Sequence, residues 1–450
     1  MRPDISRVVL IHLDNAHMSL SCVLILRYLY NIINYNTQVR IIFLQIKCLL
    51  EVEMITEKFE CAREGKTIRG HVYRPEGTKL PVMIVSHGFM STGRTVKNEA
   101  INFAARGYAA VACDFNGGGI GSKSDGKSVD MSVLTEVKDL YAIIEAVKKL
   151  PYADPADISL CGCSQGGLVS AMVAAELKDQ IKRLILLYPA LCIPDDANAG
   201  KMMWAKFDPK NVPEKVRCGP MLLGHDYITD AQTLDVYSKI RGYSGPVLII
   251  HGSNDKVVAV DYSKKAFAQY LKDQGGKPSA NCQLVIINRG NHGLRGLMGR
   301  SWMDYAFFAI DKFLEGKALV LNVDVKLTTK DTEKLQKGKR VKAYFTGVSE
   351  SPFFNGDVQP GAYDEQVYYG ITPDSCHAIY NVSGKDHTGT DCNVQIINDM
   401  PSGGKKDWAK GWKPTVSADS DALHFLNGQQ CETYAEMRRS GPFIHIFARP

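Results

Sequence analysis

The sequence predicts an α/β protein, a mostly parallel sheet covered by helices on both faces, followed by a smaller all-β domain of barrel or sandwich type. Three observations predict it. Short apolar runs alternate with segments of helical period from residue 81 to residue 314, the pattern of strands buried between helices. The run that starts at Ile158 stops abruptly in Gly162-Cys163-Ser164-Gln165-Gly166, and a small-residue helical pattern follows at once, so the chain reads strand, sharp turn, helix. After Gly316 the helical period gives way to short alternating runs separated by Gly, Asp, Asn and Ser, which marks an antiparallel β domain.

Composition narrows the function. A chain of 450 residues has room for two or three domains, and its 45% hydrophobic content supports sizeable cores. The net charge of +6 comes from 54 basic and 48 acidic residues spread along the chain, too mild for a nucleic-acid footprint. Twelve cysteines without a C-x-x-C pair suit a reducing, cytoplasmic setting better than a disulfide framework.

Residues 1–53 differ from the rest. They are rich in Ile, Leu, Asn and Tyr, with no Gly and a single Pro. Arg27 and Arg40 interrupt the apolar clusters, so no uncharged run reaches the ~18 to 20 residues of a spanning helix, and no clean signal-peptide pattern is present. Met54 opens what reads as an ordinary first strand, and residues 1–53 are expected to be an extension outside the fold.

From Met54 the elements follow in order. Phe59 to Tyr73 reads as an antiparallel edge hairpin turning at Arg63 to Lys66. Pro81 to Ser86 is a buried strand, Asn98 to Arg106 a helix, Gly107 to Asp114 a strand, and Met131 to Leu150 a helix with strong 3.6 periodicity. Then come the strand at Ile158 to Cys163, the helix after Ser164, strands at Leu184 to Leu187, Pro246 to Ile250 and Gln283 to Ile287, and helices near Tyr262 to Leu271 and Trp302 to Leu314.

In open parallel sheets reactive residues sit past the carboxyl ends of strands. Ser164, Asp255 and His292 all fall there, in the order nucleophile, acid, base. The hydroxyl of Ser164 is a weak nucleophile unless a base takes its proton. His292 is the expected base and Asp255 its orienting partner. The backbone amides of Phe89 and Gln165 are the expected oxyanion donors. His87 and His251 read as structural strand-end histidines. No cofactor or metal is expected.

These residues sit in motifs that together resemble the cinnamoyl (feruloyl) esterases of the α/β-hydrolase fold, over about residues 54–315. The resemblance is carried by Ser86-His87-Gly88-Phe89, Asp114-Phe115-Asn116-Gly117, Cys163-Ser164-Gln165-Gly166-Gly167, Tyr188-Pro189-Ala190, Pro194-Asp195-Asp196-Ala197, Lys206-Phe207-Asp208-Pro209, Leu223-Gly224-His225-Asp226-Tyr227, Gly245 to Gly252 and Gly290-Asn291-His292. It implies an esterase domain at 54–316 acting on a small-molecule aromatic ester. It also implies that the long segment at about 189–244 is a lid, with Asp196 and Tyr227 meeting the phenolic end of a hydroxycinnamate. The chain departs from the family in placing Cys163, instead of histidine, before the serine. The Cys163 side chain is expected to point into the strand's flank.

The β-rich region at 317–450 weakly resembles a small uncharacterised β-barrel family, with no activity to carry over. Lys330 to Lys342 holds six basic residues and reads as a solvated hairpin. Trp408 and Trp412 read as packing residues that could instead stack on a ring. Two other functions stay open: a prolyl-oligopeptidase-like serine peptidase, and a non-enzymatic scaffold working through the β domain. A homodimer is one open assembly.

Overall fold

The computed structural model describes residues 54–296, 302–399 and 409–450, and all of these but Met54 belong to one compact unit. The expectation for residues 1–53 and the reading of Trp408 lie outside the described residues.

The first sheet opens with the expected edge hairpin, β1 (Ile55–Arg63) and β2 (Lys66–Arg74), in which Arg63 pairs with Lys66. Glu64 and Gly65 turn it at φ 50° and 77°, matching the right-handed twist of the flanking strands. Six parallel strands follow: β3 (Leu80–Ser86), β4 (Ala109–Asp114), β5 (Ala153–Cys163), β6 (Leu184–Leu187), β7 (Val247–Gly252) and β8 (Cys282–Ile287). Their order is β1-β2-β4-β3-β5-β6-β7-β8.

The helices are α1 (Lys97–Ala104), α2 (Val133–Val147), α3 (Gln165–Leu177), α4 (Ile193–Asn198), α5 (His225–Thr233), α6 (Val236–Lys239), α7 (Val260–Asp273) and α8 (Met303–Leu314). The strands read as continuous apolar runs because both faces are covered. In β3, Val82 and Ile84 enter the core shared with α2 and α3, while Met83 and Val85 enter the one shared with α1 and α8. A capping box starts α2, with Thr135 N–H donating to the Ser132 hydroxyl and Ser132 N–H to the Thr135 hydroxyl, which satisfies two otherwise orphaned amides. Between β6 and β7 the chain inserts α4, α5 and α6 with two short hairpins, Lys201–Met202 with Ala205–Lys206 and Lys215–Cys218 with Met221–Gly224.

The second sheet is entirely antiparallel. It contains β9 (Ala318–Lys334), β10 (Lys339–Glu350), β11 (Phe354–Val358), β12 (Tyr363–Tyr368), β13 (Ser375–Asp386), β14 (Asp391–Asp399), β15 (Thr415–Ala418), β16 (Glu432–Glu436) and β17 (Phe443–Ala448). They run in the order β15-β14-β13-β11-β10-β9-β17-β16, and β12 pairs with both β10 and β13. A bridge between Thr415 and Gln430 joins the two ends, rolling the sheet into a small barrel. The basic hairpin at the β9–β10 turn is solvated, as expected, with Lys326 to Lys334 all exposed.

One strand contradicts its local sequence. Asn355-Gly356-Asp357 reads as a turn, yet it lies inside β11. Phe354 and Val358 alternate into the barrel core, and Gly356 lets the neighbouring strand approach so closely that a Cβ there would stand 2.5 Å from the Ser383 carbonyl oxygen. Tertiary packing overrides turn propensity.

Helix α8 has a second partner. Its Tyr305 stacks on Tyr434 at 4.5 Å and on His445 at 4.3 Å, and Phe308 meets Phe447 edge-on at 5.6 Å. Lys312 donates to Glu432 at 2.7 Å, and Gln283 to the Lys317 carbonyl at 2.8 Å. The barrel therefore covers the outer side of α8. Among the described residues no helix is long and apolar enough to cross a membrane.

A chain ending at Gly316 would expose Tyr305 and Phe308. Losing the burial of two aromatic side chains costs roughly 3–6 kcal/mol. The truncated chain is expected to unfold at lower urea concentration or to aggregate, which chemical denaturation and light scattering would register. Unfolding at the full-length midpoint would show that the barrel contributes nothing to α8.

Candidate active site

Ser164 follows β5 and precedes α3 at φ 54°, ψ −119°, a region that side chains rarely occupy. The turn is packed backbone on backbone. A Cβ on Gly162 would stand 2.3 Å from the Gly166 carbonyl oxygen, and one on Gly166 2.4 Å from that of His87. Glycine is therefore required at both positions, as the motif implied.

The three residues that the sequence set past different strand ends meet here. His292 follows β8. Its Nδ1 lies 2.7 Å from Asp255 Oδ2, and its Nε2 lies 3.0 Å from Ser164 Oγ. With the proton on Nδ1 donated to the carboxylate, Nε2 is left as acceptor for the serine hydroxyl. The Tyr188 ring and the imidazole pack edge to face at 4.8 Å.

Asp255 is surrounded by donors. Its Oδ1 accepts from the amides of Val257 at 2.8 Å and Val258 at 2.9 Å. Its Oδ2 accepts from His251 Nε2 at 3.1 Å as well as from His292. Burial alone would raise its pKa, but the hydrogen bonds from His251, His292 and Val258 outweigh that and hold the carboxyl well below the usual range. His251 is fully buried and takes the Ser263 hydroxyl at Nδ1, 2.7 Å away. It is the Asp255 clamp, a more specific task than the structural role read from sequence. The signal was its spacing: His251 and Asp255 are separated by one tight turn after β7.

His87 matches its structural reading. Nδ1–H donates to the Gly88 carbonyl at 2.9 Å, and Nε2 accepts from Phe115 N–H at 3.0 Å. Burial lowers its pKa, more than the Gly88 bond and the Asp114 charge raise it, so the ring stays neutral as those two bonds require.

The Gln165 amide follows Ser164 in the chain, and the Phe89 amide follows Gly88, where a Cβ would stand 2.9 Å from the Ser164 Cβ. Gln165 is the first residue of α3, so its N–H has no intrahelical acceptor. Among the described residues neither amide donates a hydrogen bond. The side chain of Gln165 is held on both ends: Nε2 donates to Glu136 Oε2 at 2.8 Å, and Oε1 accepts from the Tyr227 hydroxyl at 2.6 Å. All three side chains are buried, and the Tyr227 ring packs on Phe89 at 5.4 Å.

Sequence reasoning missed Glu136. It sits in the first turn of α2, where an acid suits the helix dipole, and that explanation hid the alternative. Yet Glu136 lies four residues before Leu140 on the helix stripe that enters the core. Burial drives its pKa well up, against the Gln165 hydrogen bond, and Oε1 has no hydrogen-bond partner.

Of the two residues expected at the far end of a substrate, Tyr227 is fully buried with its hydroxyl committed to Gln165. Asp196 lies on α4, pairs with Lys201 at 3.0 Å and keeps a partly exposed side chain. Cys163 is buried with Cys161, Ile185, Leu187 and Tyr188 in the α1–α8 core, facing away from the reactive edge as expected. All ten described cysteines are free thiols.

The model for the family described as serine aminopeptidase, S33, matches residues 78–239. Among solved structures, Est1E from Butyrivibrio proteoclasticus with ferulic acid bound is 30% identical at a TM-score of 0.51, over 57% of this chain and 98% of that one. The chain belongs to the α/β-hydrolase family. A second structure of Est1E is 27% identical at a TM-score of 0.49, over 57% of this α/β-hydrolase and 97% of the other. An esterase from Pyrococcus furiosus, Pf2001, is 20% identical at a TM-score of 0.42, over 59% and 94%. No curated protein matches the chain. The matches to Est1E cover little more than half of the α/β-hydrolase chain.

Glu136 yields a pH test. Its raised pKa means that the folded state holds the proton more tightly than the unfolded one, so stability is full below the ordinary glutamate value and declines as pH rises toward the folded value. Glu136→Gln is isosteric, uncharged and still able to accept from Gln165. Relative to wild type, the variant is expected to gain stability between pH 5 and pH 8 in urea unfolding. An equal difference at both pH values would show that Glu136 does not titrate this way.

Proposed function

We propose that the protein is a serine carboxylesterase that hydrolyses hydroxycinnamoyl, feruloyl-type, esters through an acyl-enzyme. The observation that carries the reading is the unbroken hydrogen-bond chain from Ser164 Oγ through His292 to Asp255.

In this reading Ser164 Oγ attacks the ester carbonyl as His292 Nε2 takes its proton, and the carbonyl oxygen becomes an oxyanion facing the Phe89 and Gln165 amides. Donors fixed before the reaction need no reorganisation as charge develops, and each is worth about 3–4 kcal/mol. His292 then gives its proton to the leaving alcohol as the carbonyl re-forms. Water, deprotonated by the same imidazole, attacks the acyl carbon, and the imidazolium returns the proton to Ser164 Oγ as the acyl–Oγ bond breaks and the carboxylic acid leaves. Asp255 keeps its charge throughout and stabilises the imidazolium.

The substrate class is supported by the likeness to Est1E, a protein with ferulic acid bound. Residues 189–244 are read as a lid over the acyl pocket. Asp196 would accept from a ring hydroxyl there, and Phe89 would present its ring, backed by the buried Tyr227 that fixes Gln165. An aromatic acid with a phenolic tip suits an apolar wall ended by one polar group. Free cysteines suit a reducing compartment.

The S33 family description favours a second reading, a serine peptidase. Methyl ferulate, p-nitrophenyl acetate and a peptide amide assayed in parallel separate the two. Turnover of methyl ferulate is expected, with kcat falling by about 10⁶ in Ser164→Ala and about 10⁴ in Asp255→Asn. Amide turnover exceeding that of both esters would replace the esterase reading with the peptidase, and unchanged ester turnover in Ser164→Ala would end both.

A further inference from the structure

The barrel holds a pocket of about 110 Å³ that opens to solvent where Leu327 and Met437 line it. A water takes ~30 Å³ of liquid, and a ~150 Å³ apolar cavity is enough to bind benzene, so this space suits a single small ring. Much of the wall is apolar, with Leu327, Phe345, Met437 and Ile444 among its residues.

One patch of the wall is polar. Asp364 on β12 pairs with Ala378 on β13, which pairs in turn with Asn398 on β14. The three side chains therefore lie in one row, and the small Ala378 leaves a gap between carboxyl and amide. Tyr380, two residues along β13, shares that face. Tyr380 is only 3% exposed, and its hydroxyl has no hydrogen-bond partner. The Asn398 Oδ1 atom is buried and equally without one. A buried donor and a buried acceptor left unmet are each unfavourable, and a ligand that satisfies both gains specificity from them. Asp364 already has a partner, since Gln366 Nε2 donates to it.

We propose that the barrel is a binding site for a single-ring phenol, whose hydroxyl accepts from Tyr380 and donates to Asn398 Oδ1 while its ring fills the apolar space. One hydroxyl meets both requirements, and an apolar ring fits the rest. The site lies in the second sheet and does not depend on the esterase reading.

Titration calorimetry of the full-length protein with 4-ethylphenol and with ethylbenzene tests it. Saturable binding of 4-ethylphenol is expected, at least tenfold tighter than that of ethylbenzene. Ala378→Phe, which fills the gap, is expected to abolish it with an unchanged circular dichroism spectrum. Tyr380→Phe, which removes one oxygen, should reduce the phenol preference to threefold or less and remains informative if Ala378→Phe fails to fold. Absent saturation, equal affinity for the two probes, or phenol binding that persists unchanged in Tyr380→Phe would overturn the proposal.

Discussion

The close approach of two backbones at the β5–α3 turn is the constraint on which the rest depends. Ser164 adopts a sparsely populated conformation that costs about 1–3 kcal/mol, and it persists because its main chain is tied down on both sides. Its N–H donates to the Leu187 carbonyl at 3.0 Å, and its own carbonyl accepts from Gly167 at 2.9 Å and Ala190 at 2.9 Å. These bonds link the turn to the end of β6 and to the segment beyond it. Strain held in this way fixes a hydroxyl in place.

Two buried carboxyl groups near that turn show how environment sets charge. Asp255 receives hydrogen bonds from two amides and two imidazoles, and stays ionised despite burial. Glu136 receives one, from Gln165, and burial favours its neutral form. The difference is functional if the oxyanion forms between Phe89 and Gln165. A negative Asp255 supports a positive imidazole, whereas a negative Glu136, one amide side chain away from the developing charge, would oppose it. The number of donors, not the residue type, decides which acid is charged.

The sheet was legible because its strands are buried on both faces, so apolar runs in the sequence coincide with β3 to β8. Ser164, Asp255 and His292 were legible as strand-end residues in a particular order. What sequence could not resolve was contact. The four-residue spacing from His251 to Asp255 points to the clamp, but the ring is fixed by Ser263, twelve residues further on, which no local pattern marks. Glu136 was hidden by a sufficient local explanation. Phe354 to Val358 was hidden by turn residues whose small size serves close packing against β13. In each case the decisive partner is remote in sequence.

The same remoteness governs the division into domains. The change in pattern after Gly316 marks a change in architecture, from alternating strands and helices to an antiparallel barrel. It does not mark a break in packing. Phe447 and Leu319 belong to the core that also contains Met83 and Val85 of β3, and β16 and β17 lie over the outer face of α8. His292 sits in the loop that leads from β8 into that helix, so the barrel buttresses one anchor of the loop that carries the imidazole. Composition can show where an architecture changes. Whether the two parts share a core depends on which aromatic faces meet, and here Tyr305, between Tyr434 and His445, binds them into one folding unit.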